Sequence, residues 1–310
     1  MTVGDGAVRV CAPAKINVIL RVLDRRPDGY HNLWSVMQTV ALEDELRLRV
    51  RAGQAGVMLQ CDDPTLPTDH RNLVSRAATL ALERAGLNVG LEIELMKRIP
   101  HGAGLGGGSS DAAATIQGMN RLLGLGWTVA RMAELGQQVG SDVPFFFFAP
   151  SALVTGRGEI VKPLRLKGAR WVVLVNPGFP IDTRWAYERL SATRSGARSL
   201  SSALRAVETW EAVTWEELLP LVENDFEAAV FPEHGVLHTI KTRLLSQGAE
   251  AALLSGSGST VFGVFRDETA ARQAHAGLDR FERCRAYVVR TCTEALSCED
   301  PSASAPLPVG

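Results

Sequence analysis

The sequence carries almost no net charge, since 33 Lys and Arg against 34 Asp and Glu leave a formal −1. No global basic field exists to hold DNA or RNA, so nucleic acid is not an expected partner. Long hydrophobic runs are missing too. The run from Val143 to Ala149, interrupted by Pro144, falls far short of the ~20 apolar residues of a membrane span. Residues 1–30 hold no apolar stretch behind a basic start, so no secretory signal is expected and the protein reads as cytoplasmic. The five cysteines (11, 61, 284, 292 and 298) are odd in number and lack a C-x-x-C pair, which argues against a disulfide framework or a zinc knuckle. Reduced thiols are the expectation. There is no internal repeat. What remains is ordinary for a folded chain: 310 residues, 46% hydrophobic and 22% charged, enough for about one to two domains.

Along the chain, residues 7–23 read as β, interrupted by the turn-prone Ala12-Pro13-Ala14, and Asp24 to Gly29 reads as a polar reversal. A second β-rich stretch covers 33–50 with a break near Glu43-Asp44, and a short strand covers 56–61. Residues 71–86 predict a helix, with Leu73, Ala77, Leu80 and Ala81 on one face and Gly86 as its stop. Alternation from Val89 to Met96 predicts a half-buried strand. Helices are predicted from near Ser109 to Leu123 and over 129–139, the latter closed by Gly140 as a left-handed cap. A β-rich region, 145–162, ends the first half. The second half predicts a strand over 171–175, a turn at Asn176-Pro177-Gly178 and helical segments to about 247. Strands at 251–254 and 261–265, a helix at 267–279 and a strand at 285–291 follow. Residues 297–310, rich in Ser and Pro, predict a disordered tail.

Five glycines in seven positions (102, 104, 106, 107 and 108) stand between a strand and a helix. Glycine accepts positive φ and has no side chain to block a close ligand. Such a loop turns successive N–H groups toward one point, and the helix behind it adds free N–H groups and a positive dipole end. Ser109, Ser110 and Asp111 are N-cap residue types. A phosphate chain is the natural guest. The loop lacks the Gly-Lys-Ser/Thr ending of a P-loop, and the helix-to-helix succession after it does not fit the dinucleotide fingerprint.

The stretch Pro100-His101-Gly102-Ala103-Gly104-Leu105-Gly106-Gly107-Gly108-Ser109-Ser110, followed by Asp111-Ala-Ala, resembles the second motif of the GHMP kinase superfamily. Ala12-Pro-Ala-Lys-Ile-Asn17 resembles its N-terminal motif, and Leu254-Ser-Gly-Ser-Gly-Ser-Thr260 its C-terminal glycine motif. Pro13 to Asn17 with Arg26-Pro-Asp-Gly-Tyr-His31, Gly140-Ser-Asp-Val-Pro144 and Glu223-Asn-Asp-Phe-Glu227 are similar to one branch in particular. That branch phosphorylates 4-diphosphocytidyl-2-C-methyl-D-erythritol in non-mevalonate isoprenoid synthesis.

The resemblance implies an α+β, two-domain GHMP kinase fold, with a nucleotide-binding domain over 1–160, a second domain over 161–296 and the site in the cleft between them. It implies transfer of the ATP γ-phosphoryl group to the substrate's 2-hydroxyl, with Mg²⁺ accompanying ATP and no dedicated magnesium cage in the sequence. Residues 100–110 would bind ATP, with adenine near 62–75. Asp142 would be the general base and Lys15 the cation beside it; Asn17 would bind substrate or orient Lys15. Tyr30 and His31 would hold the cytosine, and an aromatic residue beyond Pro177 would face them, Tyr187 by gapless counting, with Trp185 as the other candidate. Gly256 and Ser257 read either as a plain hairpin turn or as a glycine edge that approaches the substrate diphosphate or braces the phosphate loop. The implied partner is a small molecule, a cytidyl diphosphate sugar alcohol, acted on by a monomer or weak homodimer. Another kinase of the superfamily, or a diphosphate decarboxylase of the same fold, is the alternative.

Overall fold

A computed structural model describes residues 7–299 apart from 52–54, 195, 197, 279–283, 295 and 297. The first half runs β1 (Ala7–Arg25), β2 (His31–Arg51), β3 (Gly56–Cys61), α1 (Leu73–Ala85), β4 (Gly90–Met96), α2 (Gly107–Leu122), α3 (Val129–Val139), α4 (Val143–Phe148), β5 (Ser151–Gly156) and β6 (Ile160–Pro163). The second runs β7 (Arg165–Lys167), β8 (Trp171–Asn176), α5 (Thr183–Ala192), α6 (Ser202–Val207), β9 (Ala212–Thr214), α7 (Trp215–Leu218), β10 (Glu223–Asn224) and α8 (Glu227–Val230). It closes with α9 (Gly235–Ser246), β11 (Ala251–Leu254), β12 (Val261–Phe265), α10 (Glu268–Ala276), β13 (Arg285–Arg290) and β14 (Cys298–Glu299).

β1 and β2 are long strands that pair antiparallel along most of their length, where the sequence predicted breaks. Proline has no N–H to give a ladder and is tolerated at bulges. Pro13 pairs with Glu43 and Ala14 with Val40, so the irregularity is a bulge that leaves Ala41 and Leu42 over, and both strands continue through it. The order β10-β1-β2-β4-β3 forms the spine of an eight-stranded sheet, with β14 on β1, β5 on β2 and β6 on β5. Two of its strands, β10 and β14, come from the second half of the chain. A four-stranded antiparallel sheet, β11-β12-β8-β13, and a parallel pair, β7 with β9, complete the β structure.

The helices take their faces from apolar spacing. Val74, Ala77, Ala78 and Ala81 bury one side of α1, Asn72 caps its start by accepting from Val74 N–H, and Gly86 ends it at φ +64°. Alanines 112–114 bring α2 close onto the sheet, and a Cβ on Gly118 would meet Leu48 at 2.9 Å. A core that includes Ile16, Trp34, Leu174, Trp215 and Phe262 joins the large sheet to the four-stranded one. Among the described residues no helix is long and apolar enough to cross a membrane.

Four expectations need correction. Residues 143–148 are a helix rather than a strand: Pro144 sits in its first turn, where a missing N–H costs nothing, and Val143 to Phe147 are all buried. Gly140 is extended (φ −170°, ψ 152°), because the chain turns straight into α4 instead of closing a left-handed cap. The region after 176 holds the short strands β9 and β10 between its helices. In the tail, residues 298–299 pair with β1; its remaining positions lie outside the described residues.

Candidate active site

The loop from Pro100 to Gly106 leaves β4 and enters α2 with Gly102, Gly104 and Gly106 at φ +63°, +77° and +70°. A Cβ on Gly104 would stand 2.1 Å from the Ser255 carbonyl oxygen, which no side chain survives. The helix begins at Gly107, earlier than Ser109, and its N-cap is Gly106, with no side-chain cap bond. Ser109 and Ser110 therefore lie inside the first turn, and Asp111 just past it, instead of capping the helix. Three bonds fasten the loop: Lys15 N–H donates to Leu105 O (2.9 Å), Thr260 N–H to Ala103 O (3.1 Å) and Ser255 Oγ to Gly104 O (2.9 Å).

Lys15 and Asn17 share one face of β1 by strand alternation. Lys15 is only 4% exposed, and its Nζ donates to Asn17 Oδ1 at 2.6 Å. Asn17 Nδ2 in turn donates to Ser35 Oγ, which donates to Ile19 O. This relay fixes the amide and with it the acceptor on which the Lys15 ammonium rests. Lys15 Nζ stands 4.0 Å from Asp142 Oδ2, whose carboxylate is one third exposed. Burial pulls the Lys15 ammonium below the usual lysine range, and the Asp142 charge opposes that pull. Asp142 occupies the N-cap position of α4 without making a cap bond, so its carboxylate is left for chemistry.

The Ser255–Gly258 segment is both a turn and a brace. A Cβ on Gly256 would lie 3.2 Å from Gly104 O and 3.3 Å from Lys15 Nζ. Asn224 holds the turn from behind, donating to Leu254 O (2.6 Å) and Gly256 O (2.8 Å). Ser257 shares a hydrogen bond with Thr183 at the start of α5 (3.1 Å).

At the other end, Tyr30 projects from the β1–β2 reversal, 57% exposed, with the Arg157 guanidinium 5.1 Å from its ring centroid. His31 stacks on Tyr187 (centroids 5.0 Å, 15° between planes) and meets Ser191 Oγ at 3.2 Å. Tyr187 also packs edge-on against Phe226 (4.8 Å, 85°), and burial, reinforced by the Asp142 charge, raises its phenol above the ordinary value. Burial, aided by Arg25, lowers the His31 imidazole. Trp185 packs instead against His234 and stays out of the cleft.

Lys15, Asn17, Asp142, the glycine loop, Gly256, His31 and Tyr187 line one cleft of about 1230 Å³, which runs from Leu66, Pro67 and Asn72 to Tyr30 and Arg157. Of the residues singled out in the sequence, Ser110 and Trp185 are missing from its wall; Ser110 is fully buried and its Oγ has no partner. Sequence reasoning missed Lys97, Asp111 and Arg157, which do line the cleft. A lysine ending a strand and an arginine between two glycines read as solvated charges, and nothing local distinguishes them. Among the described residues no three His, Cys, Asp or Glu side chains gather as a metal cage.

Comparison with known proteins agrees with this layout. Residues 72–149 match the GHMP kinases N terminal domain, and residues 206–283 match the GHMP kinases C terminal family. A 4-diphosphocytidyl-2-C-methyl-D-erythritol kinase of Geobacter sp. (strain M21) is 42% identical over 289 residues, covering 92% of this chain and 99% of that protein. The crystal structure of a 4-(cytidine 5'-diphospho)-2C-methyl-D-erythritol kinase superposes with a TM-score of 0.72 at 33% identity, covering 91% of this chain and 98% of the other. A homoserine kinase from Cytophaga hutchinsonii shares the fold (TM-score 0.73, 20% identity, coverage 96% and 99%).

Proposed function

We propose how a chain that belongs to the 4-diphosphocytidyl-2-C-methyl-D-erythritol kinases, a branch of the GHMP kinases, carries out its reaction. The enzyme transfers the γ-phosphoryl group of ATP to the 2-hydroxyl of 4-diphosphocytidyl-2-C-methyl-D-erythritol, giving the 2-phosphate and ADP. The observation that carries the residue assignment is the meeting of three things in one cleft: the glycine loop, the buried Lys15 and the open carboxylate of Asp142.

Phosphoryl transfer needs alignment and charge neutralisation more than covalent help from the protein. The N–H groups of the loop and the first turn of α2 cradle the phosphates. Asp142 accepts the proton of the attacking hydroxyl. Lys15, aimed by Asn17, stands beside Asp142 and faces the charge that grows on the transferring group. Burial makes that cation count for more than it would in water.

The cleft's scattered carboxylates fit magnesium, which holds few protein ligands and keeps water and phosphate oxygens. The ion would arrive on the phosphates of ATP and supply charge neutralisation there, leaving Asp142 free to accept the proton. The pyrimidine stacks on Tyr30. A base sandwiched between two rings needs about 7 Å between them, twice a contact distance, and His31 and Tyr187 stand closer than that. Those two rings therefore wall the pocket together, with His31 free to read the polar edge of the base.

In this reading residues 1–160 carry the nucleotide and 161–296 complete the cleft, and the enzyme works in the cytoplasm on a soluble small molecule. A panel of acceptors tests the substrate: preferential phosphorylation of homoserine or mevalonate over the cytidyl compound would overturn it. Asp142→Ala tests the base, and near wild-type kcat in that variant would remove Asp142 from the role.

A further inference from the structure

Far from the glycine loop, the cleft wall holds a cation for which the fold has no partner. Arg157 stands in the turn between β5 and β6, flanked by Gly156 (φ +71°) and Gly158 (φ +122°). Gly156 pairs with Leu33 of β2, so the turn lies beside the Tyr30–His31 reversal. The Arg157 backbone N–H donates to the Glu159 carboxylate. The half-buried guanidinium makes no hydrogen bond or ion pair among the described residues and rests 5.1 Å from the centroid of the Tyr30 ring. An aromatic face attracts the charge but leaves the N–H donors unused. The surrounding charges lean the same way. Arg25 and Arg184 line this end and form no ion pair among the described residues, whereas Arg26 is held by Asp28 (3.3 Å) and Arg194 by Asp225 (2.8 Å). Glu188 is the one carboxylate of that wall without a partner among the described residues, with Asp142 beside Lys15 farther in. Three guanidinium groups against one such carboxylate leave a positive excess that a neutral pyrimidine does not need and a diphosphate does.

We propose that Arg157 is a specificity-determining residue for the phosphoryl acceptor: its guanidinium donates to the diphosphate oxygens of the cytidyl substrate while its stem stays by Tyr30. This rests on the cytidyl reading of the cleft. Arginine suits the task because its charge persists at any working pH and its planar fork meets two phosphate oxygens at once. Neither homoserine nor mevalonate carries a diphosphate, so neither would engage that fork. The same residue that flanks the stacking ring therefore separates the cytidyl acceptor from smaller alcohols.

The test is calorimetric titration of CDP and, separately, of cytidine into the wild type and Arg157→Met, with the nucleotide site saturated by a non-hydrolysable ATP analogue. Methionine keeps an unbranched stem for Tyr30 and removes the charge and the donors. CDP is expected to bind Arg157→Met about tenfold more weakly, the loss of one charge-assisted contact, and cytidine to bind both proteins alike. In steady state, KM for the cytidyl acceptor is expected to rise by the same factor while KM for ATP holds. Arg157→Gln, polar and uncharged, is the second variant should methionine disturb folding, and carries the same expectations. Equal CDP affinity in wild type and variant overturns the proposal. So does an equal loss for cytidine, which would make Arg157 a support for the ring, and so does a rise in KM for ATP, which would give the guanidinium to the other substrate. A wild type that binds neither CDP nor cytidine would overturn the cytidyl reading itself, and the proposal with it.

Discussion

Lys15 and Asp142 are a matched pair in unequal surroundings. The lysine is buried and held by an amide, while the carboxylate is partly open to the cleft. Asp142→Asn, close in shape but unable to take a proton, is expected to lower kcat by about 10²–10⁴-fold with little change in KM for ATP, as steady-state kinetics would register. Lys15 sets the alkaline limit. Its ammonium sits below the ordinary lysine range, so its charge is present at low pH and is lost as pH rises through that lowered value. The kcat profile is therefore expected to fall at lower pH than a surface lysine would dictate. Replacing Asn17 with Leu leaves the ammonium without its hydrogen-bond acceptor and is expected to move that fall lower still, a shift that a pH–rate series would show.

Secondary-structure elements display where local signals suffice and where they do not. Helix α1 was legible at its C-terminal end because Gly86 does there what its chemistry favours, while the cap at Asn72 went unread. The glycine loop was legible for the same reason, since several of its glycines take up the positive φ their composition advertised. Helix α4 was not: four consecutive phenylalanines favour a strand, and only burial on every side, with Pro144 in the first turn, makes them helical. Ser109, Ser110 and Asp111 looked like caps, yet the backbone of Gly106 starts the helix earlier and leaves Asp111 to an ion pair with Lys97 across 14 residues. The choice between Tyr187 and Trp185 needed three dimensions, because both sit on α5 and only packing decides which ring reaches the cleft. Gly104 gives the element-scale prediction. Gly104→Ala forces a Cβ into the Ser255 and Gly258 carbonyls at positive φ, and it is expected to raise KM for ATP at least about tenfold and to cost about 1–3 kcal/mol of stability, measurable by denaturant titration.

For the whole molecule, Asp225 is the tie between distant segments. It is buried, accepts Val22 N–H (2.8 Å) and Arg21 Nε (3.2 Å), and pairs with Arg194 (2.8 Å). Asp225→Ala leaves the nearly buried Arg194 without its carboxylate and Arg21 with Glu223 alone, and is expected to cost about 3–5 kcal/mol, read from the unfolding midpoint. Asp111 shapes stability in alkali. Its folded value of about 8 exceeds the ordinary carboxylate value of about 4, so the folded state binds the extra proton, and stability falls as pH rises between the two. Asp111→Asn is expected to flatten that fall and to melt higher than the wild type at pH 9, by roughly 5 °C.

The contact between the glycine loop and the Ser255–Thr260 turn has a mechanical consequence. Backbone lies against backbone there, pinned by the Ser255 hydroxyl on Gly104 O, so the nucleotide end acts as the spine of a book. At the opposite rim Tyr30 stands exposed with the half-buried Arg157 beside its ring, held by no comparable backbone clasp.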